Sequence, residues 1–313
     1  MLHYTLKRIA TGLLTIWFIA TATFFTMHLV PGDPLADEKA VPTEIRAALL
    51  AQYGLDKPIH QQYFQFFNNM LQGDFGISFT QQNRQVNDII REHFPISATL
   101  GCLALLFAAA GAVLWGALAA RFHRRWPDFV LMGAVVAGIS VPSFVFAALV
   151  QVAVLRINQQ FGTQFPLAGW GSFTQMLLPA WVLGLGTMAY MARLMRSSLL
   201  DVKNAAYIRT ARAKHLSPAR IFWIHTLRNA LLPVFALLGP AIAAITTGGF
   251  VVETVFAIPG LGRYFVQAVQ QLDYTVIMGT TVFYGSFLVL MVLVVDLLSA
   301  LLDPRIRLQE ART

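Results

Sequence analysis

The chain has 313 residues, 57% of them hydrophobic and only 12% charged, with a net charge of +8. Soluble domains carry about 25% charged residues, so a water-soluble globular protein is excluded and a polytopic membrane protein is expected. The basic residues sit beside apolar runs, which assigns them to membrane topology rather than to nucleic-acid binding.

A crossing needs about 20 predominantly apolar residues. Six stretches meet that requirement: 9–30, 96–120, 129–155, 176–197, 229–252 and 276–302. Ala20-Thr21-Ala22 resembles a cleavage site within the first stretch. The apolar run continues past it to Val30, too long for a signal core, so the stretch is read as an anchor.

Basic residues then set the orientation. Lys7 and Arg8, the trio Arg121, Arg124 and Arg125, a cluster between Arg193 and Arg228, and Arg305, Arg307 and Arg312 all fall on one side. That side is expected to be cytoplasmic, with both termini on it.

The expected organisation is an N-terminal segment and first helix over 1–30, an external cap over 31–95, a membrane core over 96–302 and a cytoplasmic tail over 303–313. Within the cap, 42–53 and 61–71 have helical spacing of apolar residues, the latter with Tyr63, Phe64, Phe67 and Leu71. The segment 253–273 also lies outside. It holds the turn signal Ile258-Pro259-Gly260-Leu261-Gly262, followed by an amphipathic run.

The stretch from Arg193 to Arg228 carries eight basic residues and one acid, Asp201. Ala205, Ile208 and Ala211 recur at helical spacing, and Ser217-Pro218 is a good helix start. Two short helices joined by a turn at His215-Leu216 are expected in this loop, which spans 198–228.

The chemistry-bearing motifs are missing. None of the five lysines is followed by Ser or Thr, so no phosphate-binding loop of the Gly-x-x-x-x-Gly-Lys-Ser/Thr type is present. There is no His-Glu-x-x-His and no Gly-x-Ser-x-Gly. His28 and His225 lack partners at metal-ligand spacing and are read as structural or interfacial. Asp296 lies within the last span and is expected to bond to a neighbouring helix or to a basic residue. Ser140-Val141-Pro142-Ser143, Gly239-Pro240 and Thr246-Thr247-Gly248-Gly249 interrupt spans. Ser140, Thr246 and Thr247 are candidates for lining a polar route, against the alternative that they bond back to their own helices.

In order along the chain stand Pro31-Gly32-Asp33-Pro34, Gly54-Leu55-Asp56, Gly73-Asp74-Phe75-Gly76 and Arg196-Ser197-Ser198. They are followed by Tyr207-Ile208-Arg209-Thr210-Ala211-Arg212-Ala213-Lys214 and Arg228-Asn229-Ala230-Leu231-Leu232-Pro233. Glu253, Pro259-Gly260-Leu261-Gly262, Asp273-Tyr274 and Leu302-Asp303-Pro304-Arg305 complete the series. With these the chain resembles the permease subunits of bacterial binding-protein-dependent ABC importers for peptides and nickel, nearest the first membrane subunit of the oligopeptide branch.

The resemblance implies an all-α polytopic protein of six transmembrane helices with the type I ABC importer permease fold. It also implies a periplasmic cap after the first helix, coupling helices between helices 4 and 5, and residence in the bacterial inner membrane. Tyr207, Ile208, Arg209, Thr210, Ala211, Arg212, Ala213, Lys214 and His215 would form the ATPase-coupling element. Asp33, Asp74, Glu253 and Asp273 would meet the periplasmic partner.

The implied partners are a homologous second permease, two ABC ATPases and a periplasmic substrate-binding protein. ATP and Mg reside on the ATPases, this chain binds no cofactor, and it is not itself an enzyme. Dipeptides or a nickel chelate are the alternative cargo. A secondary transporter working without an ATPase is the rival of another class, but its embedded charges and internal repeats are missing. Two positions depart from the family: His215 stands where the family has Gly, and Leu272 where it often has Arg. The family Gly suits a left-handed residue after the helix, and with His215 the turn either persists at a modest cost or differs slightly in shape. Ala211→Glu or a bulky change at Ile208 is expected to uncouple ATP hydrolysis from transport without unfolding the membrane bundle.

Overall fold

A computed structural model describes residues 2–30, 54–81 and 83–302. The expected helix over 42–53 and the tail over 303–313 lie outside the described residues, as does Asp33. Among the described residues the protein is helical, and five helices are long and apolar enough to cross a membrane.

The centre of the bundle is a pair of long helices, α3 (Val86–Arg121) and α6 (Phe173–Lys203). They run side by side in the same direction. Gly184 of α6 faces the Ala104 backbone, and Gly116 of α3 faces Ala192 and Met195. Small residues let two backbones approach this closely where lipid offers no hydrophobic drive for association. A Cβ at Gly184 would stand 2.5 Å from the Ala104 carbonyl oxygen, a backbone atom that no side-chain rotation can move. Gly184→Ala is therefore expected to cost about 1–3 kcal/mol through forced separation of the pair, read as a lower unfolding temperature in detergent. Gly133→Ala, which meets open space, is the control and should leave that temperature unchanged or raise it.

The other helices pack around this pair. α1 (Leu2–Leu29) lies against α12 (Tyr274–Leu302), with Gly12 against Val289 and Gly285 against Ile19. Arg8 Nη1 stands 3.0 Å from Asp296 Oδ2, so the membrane acid does pair with a basic residue of another helix. α2 (Ile59–Leu71) lays Tyr63 and Phe66 on Phe24 and Phe25 of α1. The Tyr63 hydroxyl lies 3.0 Å from Thr21 Oγ1, and His28 bridges the Phe24 carbonyl and Gln62. His28 is thus a structural strut.

Three expected spans differ in outline. The second begins at Val86 rather than at 96 and runs through Pro95. Its 36 residues extend about 54 Å at 1.5 Å per residue, well beyond a hydrocarbon layer of about 30 Å. The end of the expected cap is therefore the top of a membrane helix. The third span breaks into α4 (Trp126–Ser140) and α5 (Ser143–Phe161), because Pro142 forces Val141 into an extended conformation, φ −88° and ψ 124°. The fifth is shared by α9 (Arg228–Ala236) and α10 (Leu238–Val255), which meet at Leu237, two residues before Gly239-Pro240.

Candidate functional site: a basic helix at one end and two carboxylate latches

Between α6 and α9 lies α7 (Ala206–Ala213), a turn, and then α8 (Pro218–Arg220) continuing as a π-helical stretch, Ile221–Leu227, into α9. The apolar spacing in α7 aims Ile208 and Ala211 at one face. They are 1% and 6% exposed and pack on Ile221, with Val202 and Leu216 beside them. Tyr207, Arg209, Thr210, Arg212 and Ala213 occupy the exposed remainder, followed by Lys214 and His215. The helix therefore has an anchoring face and a presenting face. Ile208 and Ala211 belong to the first, buried within their own chain, so within the expected coupling element they anchor the helix rather than present it.

The end of α7 is closed by its backbone. The His215 amide donates to the Arg212 carbonyl at 2.9 Å and the Leu216 amide to the Ala211 carbonyl at 3.3 Å, a Schellman pattern with Leu216 packed back on the helix. His215 takes φ +54°, so the left-handed turn persists with His in place of the family Gly. Leu272 does the same after α11 (Leu261–Gln271), at φ +56°. Ser217 caps α8, its Oγ accepting from the Arg220 amide at 3.4 Å. Within the π stretch Thr226 Oγ1 donates five residues back, to the Ile221 carbonyl at 3.2 Å.

Two polar ties hold together the helices that flank this element. Ser198 Oγ of α6 donates to the Ala230 carbonyl of α9 at 3.0 Å. Arg196 grips Asp128 with two bonds, Nε to Oδ1 at 2.7 Å and Nη2 to Oδ2 at 2.6 Å, linking α6 to the start of α4. Asp128 is only 3% exposed. The Arg196 guanidinium holds its carboxyl below the usual carboxylate range, helped by the Arg124 amide at 3.0 Å. Sequence reading missed this pair. The available signal was a lone acid among Arg121, Arg124 and Arg125, and an arginine that begins the Arg196-Ser197-Ser198 motif.

At the opposite end, Glu253 and Asp273 were expected to face a partner. Both are buried, at 2% and 1% exposure, which corrects that expectation. The Glu253 carboxylate accepts from the Arg263 amide at 3.1 Å and fills the space beside Gly260 and Gly262. Asp273 accepts from Ser78 Oγ, the amides of Phe79 and Thr80, and Thr80 Oγ1. It also caps α12 through the Val276 amide at 3.2 Å. Both acids are internal latches that hold loops to helix ends. Asp74 is exposed, with Oδ1 accepting from the Gly76 amide at 2.9 Å.

Ser140 Oγ donates to the Val136 carbonyl at 2.8 Å, back into its own helix. The side chains of Thr246 and Thr247 lie outside the described residues. Among the described residues no group of three or more His, Cys, Asp or Glu side chains has metal-binding placement.

The family described as "Binding-protein-dependent transport system inner membrane component" matches residues 112–308. Its N-terminal companion, "Binding-prot-dependent transport system membrane comp, N-term", matches residues 1–101. The chain belongs to this family. It is a transport permease of the inner membrane. The dipeptide transport system permease protein DppB of Bacillus subtilis is 42% identical over 313 residues, 99% of each chain. The oligopeptide transport system permease protein OppB of Haemophilus influenzae is 41% identical, covering 98% of this chain and all of its own length. OppB of Salmonella typhimurium is 40% identical with the same coverage.

Proposed function

We propose that this permease forms half of the translocation pathway of an ATP-driven peptide importer. The observation that carries the proposal is α7, a short basic helix anchored by Ile208 and Ala211, with its remaining side chains exposed. Relatives named for oligopeptide and dipeptide transport support a peptide cargo. The chain would cross the membrane six times with both termini in the cytoplasm, the crossing at 229–252 being made by α9 and α10 together. It would work with a second homologous permease, two ATPases that hold ATP and Mg, and a periplasmic binding protein. It would perform no catalysis itself.

In this reading ATP draws the two ATPases together and moves α7. The helix is stiff, it follows α6 after two residues, and a four-residue turn joins it to α8, which runs on through the π stretch into α9, so its displacement passes into two membrane helices. ATP favours the outward-facing arrangement by binding it more tightly, and hydrolysis restores the inward-facing one.

The deciding experiment is a detergent pull-down of the tagged chain from its native membrane. Recovery of a second permease and of ATPases carrying the phosphate-binding loop supports the proposal, and assay of the accompanying binding protein with peptide and nickel identifies the cargo. Recovery of the chain alone, still moving solute without ATP, overturns it.

A sharper result is expected from the two faces of α7. Arg209→Glu with Tyr207→Ala changes exposed side chains only, so stability should move by less than about 0.5 kcal/mol. ATP-dependent uptake in reconstituted vesicles should nevertheless fall at least tenfold. Ala211→Glu should lower the unfolding temperature as well, because it drives a charge into the anchoring face.

A further inference from the structure

At the basic end of the bundle a cleft of about 800 Å³ lies between the ends of α3 and α6 and the segment 212–226. Its two ends have opposite chemistry. Leu114, Leu118 and Phe222 form apolar wall, and Leu114 and Leu118 stay exposed, so that wall continues along the flank of α3. Arg121, Lys203 and Arg212, contributed by three different elements, line the other part and are exposed. No Asp or Glu lines the cleft. Among the described residues none of these three cations forms an ion pair. From Leu114 to Arg121 the helix rises about 10 Å.

We infer that this cleft binds an anionic phospholipid, with its headgroup phosphate among Arg121, Lys203 and Arg212 and an acyl chain along Leu114, Leu118 and Phe222. A free anion has no use for the apolar wall, and an uncharged apolar ligand has none for the cations. An acidic lipid uses both, in the order in which a bilayer presents them. The inference rests on the topology in the proposed function, which places this end at the cytoplasmic leaflet, where basic pockets between helices take acidic headgroups. Because the cleft shares Arg212 with α7, an occupying lipid would brace the helix that receives the ATPase.

The test uses the intact complex purified with its partner subunits. It is exchanged into nanodiscs of phosphatidylcholine containing phosphatidylglycerol, then stripped with detergent, and native mass spectrometry counts the lipids that remain. The wild-type complex is expected to retain phosphatidylglycerol in preference to phosphatidylcholine. One basic residue near an anionic headgroup is worth about fivefold in affinity, so Arg121→Gln with Lys203→Gln should weaken retention about 25-fold. Equal retention by the variant overturns the inference, as does equal retention of phosphatidylcholine by the wild type. Displacement of the lipid by millimolar glycerol phosphate would show that an anion alone is read, and overturns it too. ATPase co-purification is scored on the same sample. A complex that assembles but retains no acidic lipid sinks the lipid site alone, and a chain without ATPases sinks the proposed function.

Discussion

Asp273→Ala is expected to release Ser78, Phe79 and Thr80 from the end of α11 and to lower the unfolding temperature sharply. The carboxylate is 1% exposed and accepts from donors on both sides of a tertiary contact spanning almost 200 residues, including Thr80 Oγ1 at 2.9 Å and the Val276 amide at 3.2 Å. Alanine removes at once the acceptor shared by the Ser78 and Thr80 hydroxyls and by the Phe79, Thr80 and Val276 amides. Each buried donor left without a partner costs about 1–3 kcal/mol, so a total of about 3–5 kcal/mol is expected, the loss of the α12 cap included. Limited proteolysis should then cut within 78–81 under conditions that spare the wild type. Asp273→Asn keeps one acceptor oxygen and should lose clearly less. An alanine variant as stable and as protease-resistant as the wild type would show that the loop is held by its other contacts alone.

Arg196→Leu should be nearly as damaging, for a different reason. It removes the guanidinium that makes both strong bonds to Asp128 and leaves a buried carboxylate facing only the Arg124 amide and the His123 ring, whose Nδ1 lies 3.5 Å from Asp128 Oδ2. Breaking a buried pair from one side costs about 3 kcal/mol or more. Pairing Arg196→Leu with Asp128→Asn removes the stranded charge, so the double variant should recover more than half of the lost stability, as measured by thermal unfolding. No recovery would mean that Arg196 acts through packing. The pH dependence has a definite sign. The Asp128 carboxyl is held below its ordinary range by Arg196. Its contribution is therefore fully present above about pH 4 and is lost as the pH falls through the depressed folded value. The wild type should show this acid loss and the double variant should not.

These two carboxylates mark the limit of what pattern reading reached. Asp273 was visible in the sequence as part of Asp273-Tyr274, and its exposure to a partner was the natural expectation for an acid in an outer loop. Its burial depends on Ser78 and Thr80, which local spacing does not connect to it. Asp128 likewise reads as one acid in a basic loop until α6 brings Arg196 beside it. In both cases the partner comes from a remote segment, and hydrogen-bond geometry across such a distance leaves no periodic signal.

The turn at His215 behaved differently. The turn itself was legible, because helical spacing stops after Ala213; that His215 keeps the left-handed geometry of the family Gly was settled by the structure. The two faces of α7 were half legible. Alternation at Ala205, Ile208 and Ala211 shows that the helix has an apolar face, but whether that face meets another protein or the parent chain depends on where Ile221 comes to rest.

By itself the sequence determined the membrane class, the apolar segments, the charge asymmetry, the helix ends at Ser217 and His215 and the family. All of these are carried by composition, by local periodicity or by motif order along the chain. Only the tertiary structure decided that α3 and α6 run parallel in close contact through Gly184 and Gly116. The same holds for Glu253 and Asp273 acting as latches, for Ile208 and Ala211 facing inward, and for three cations from separate elements converging on one cleft. Burial and convergence arise from packing between segments far apart in the chain, where a single residue's neighbours in sequence carry no information about its neighbours in space.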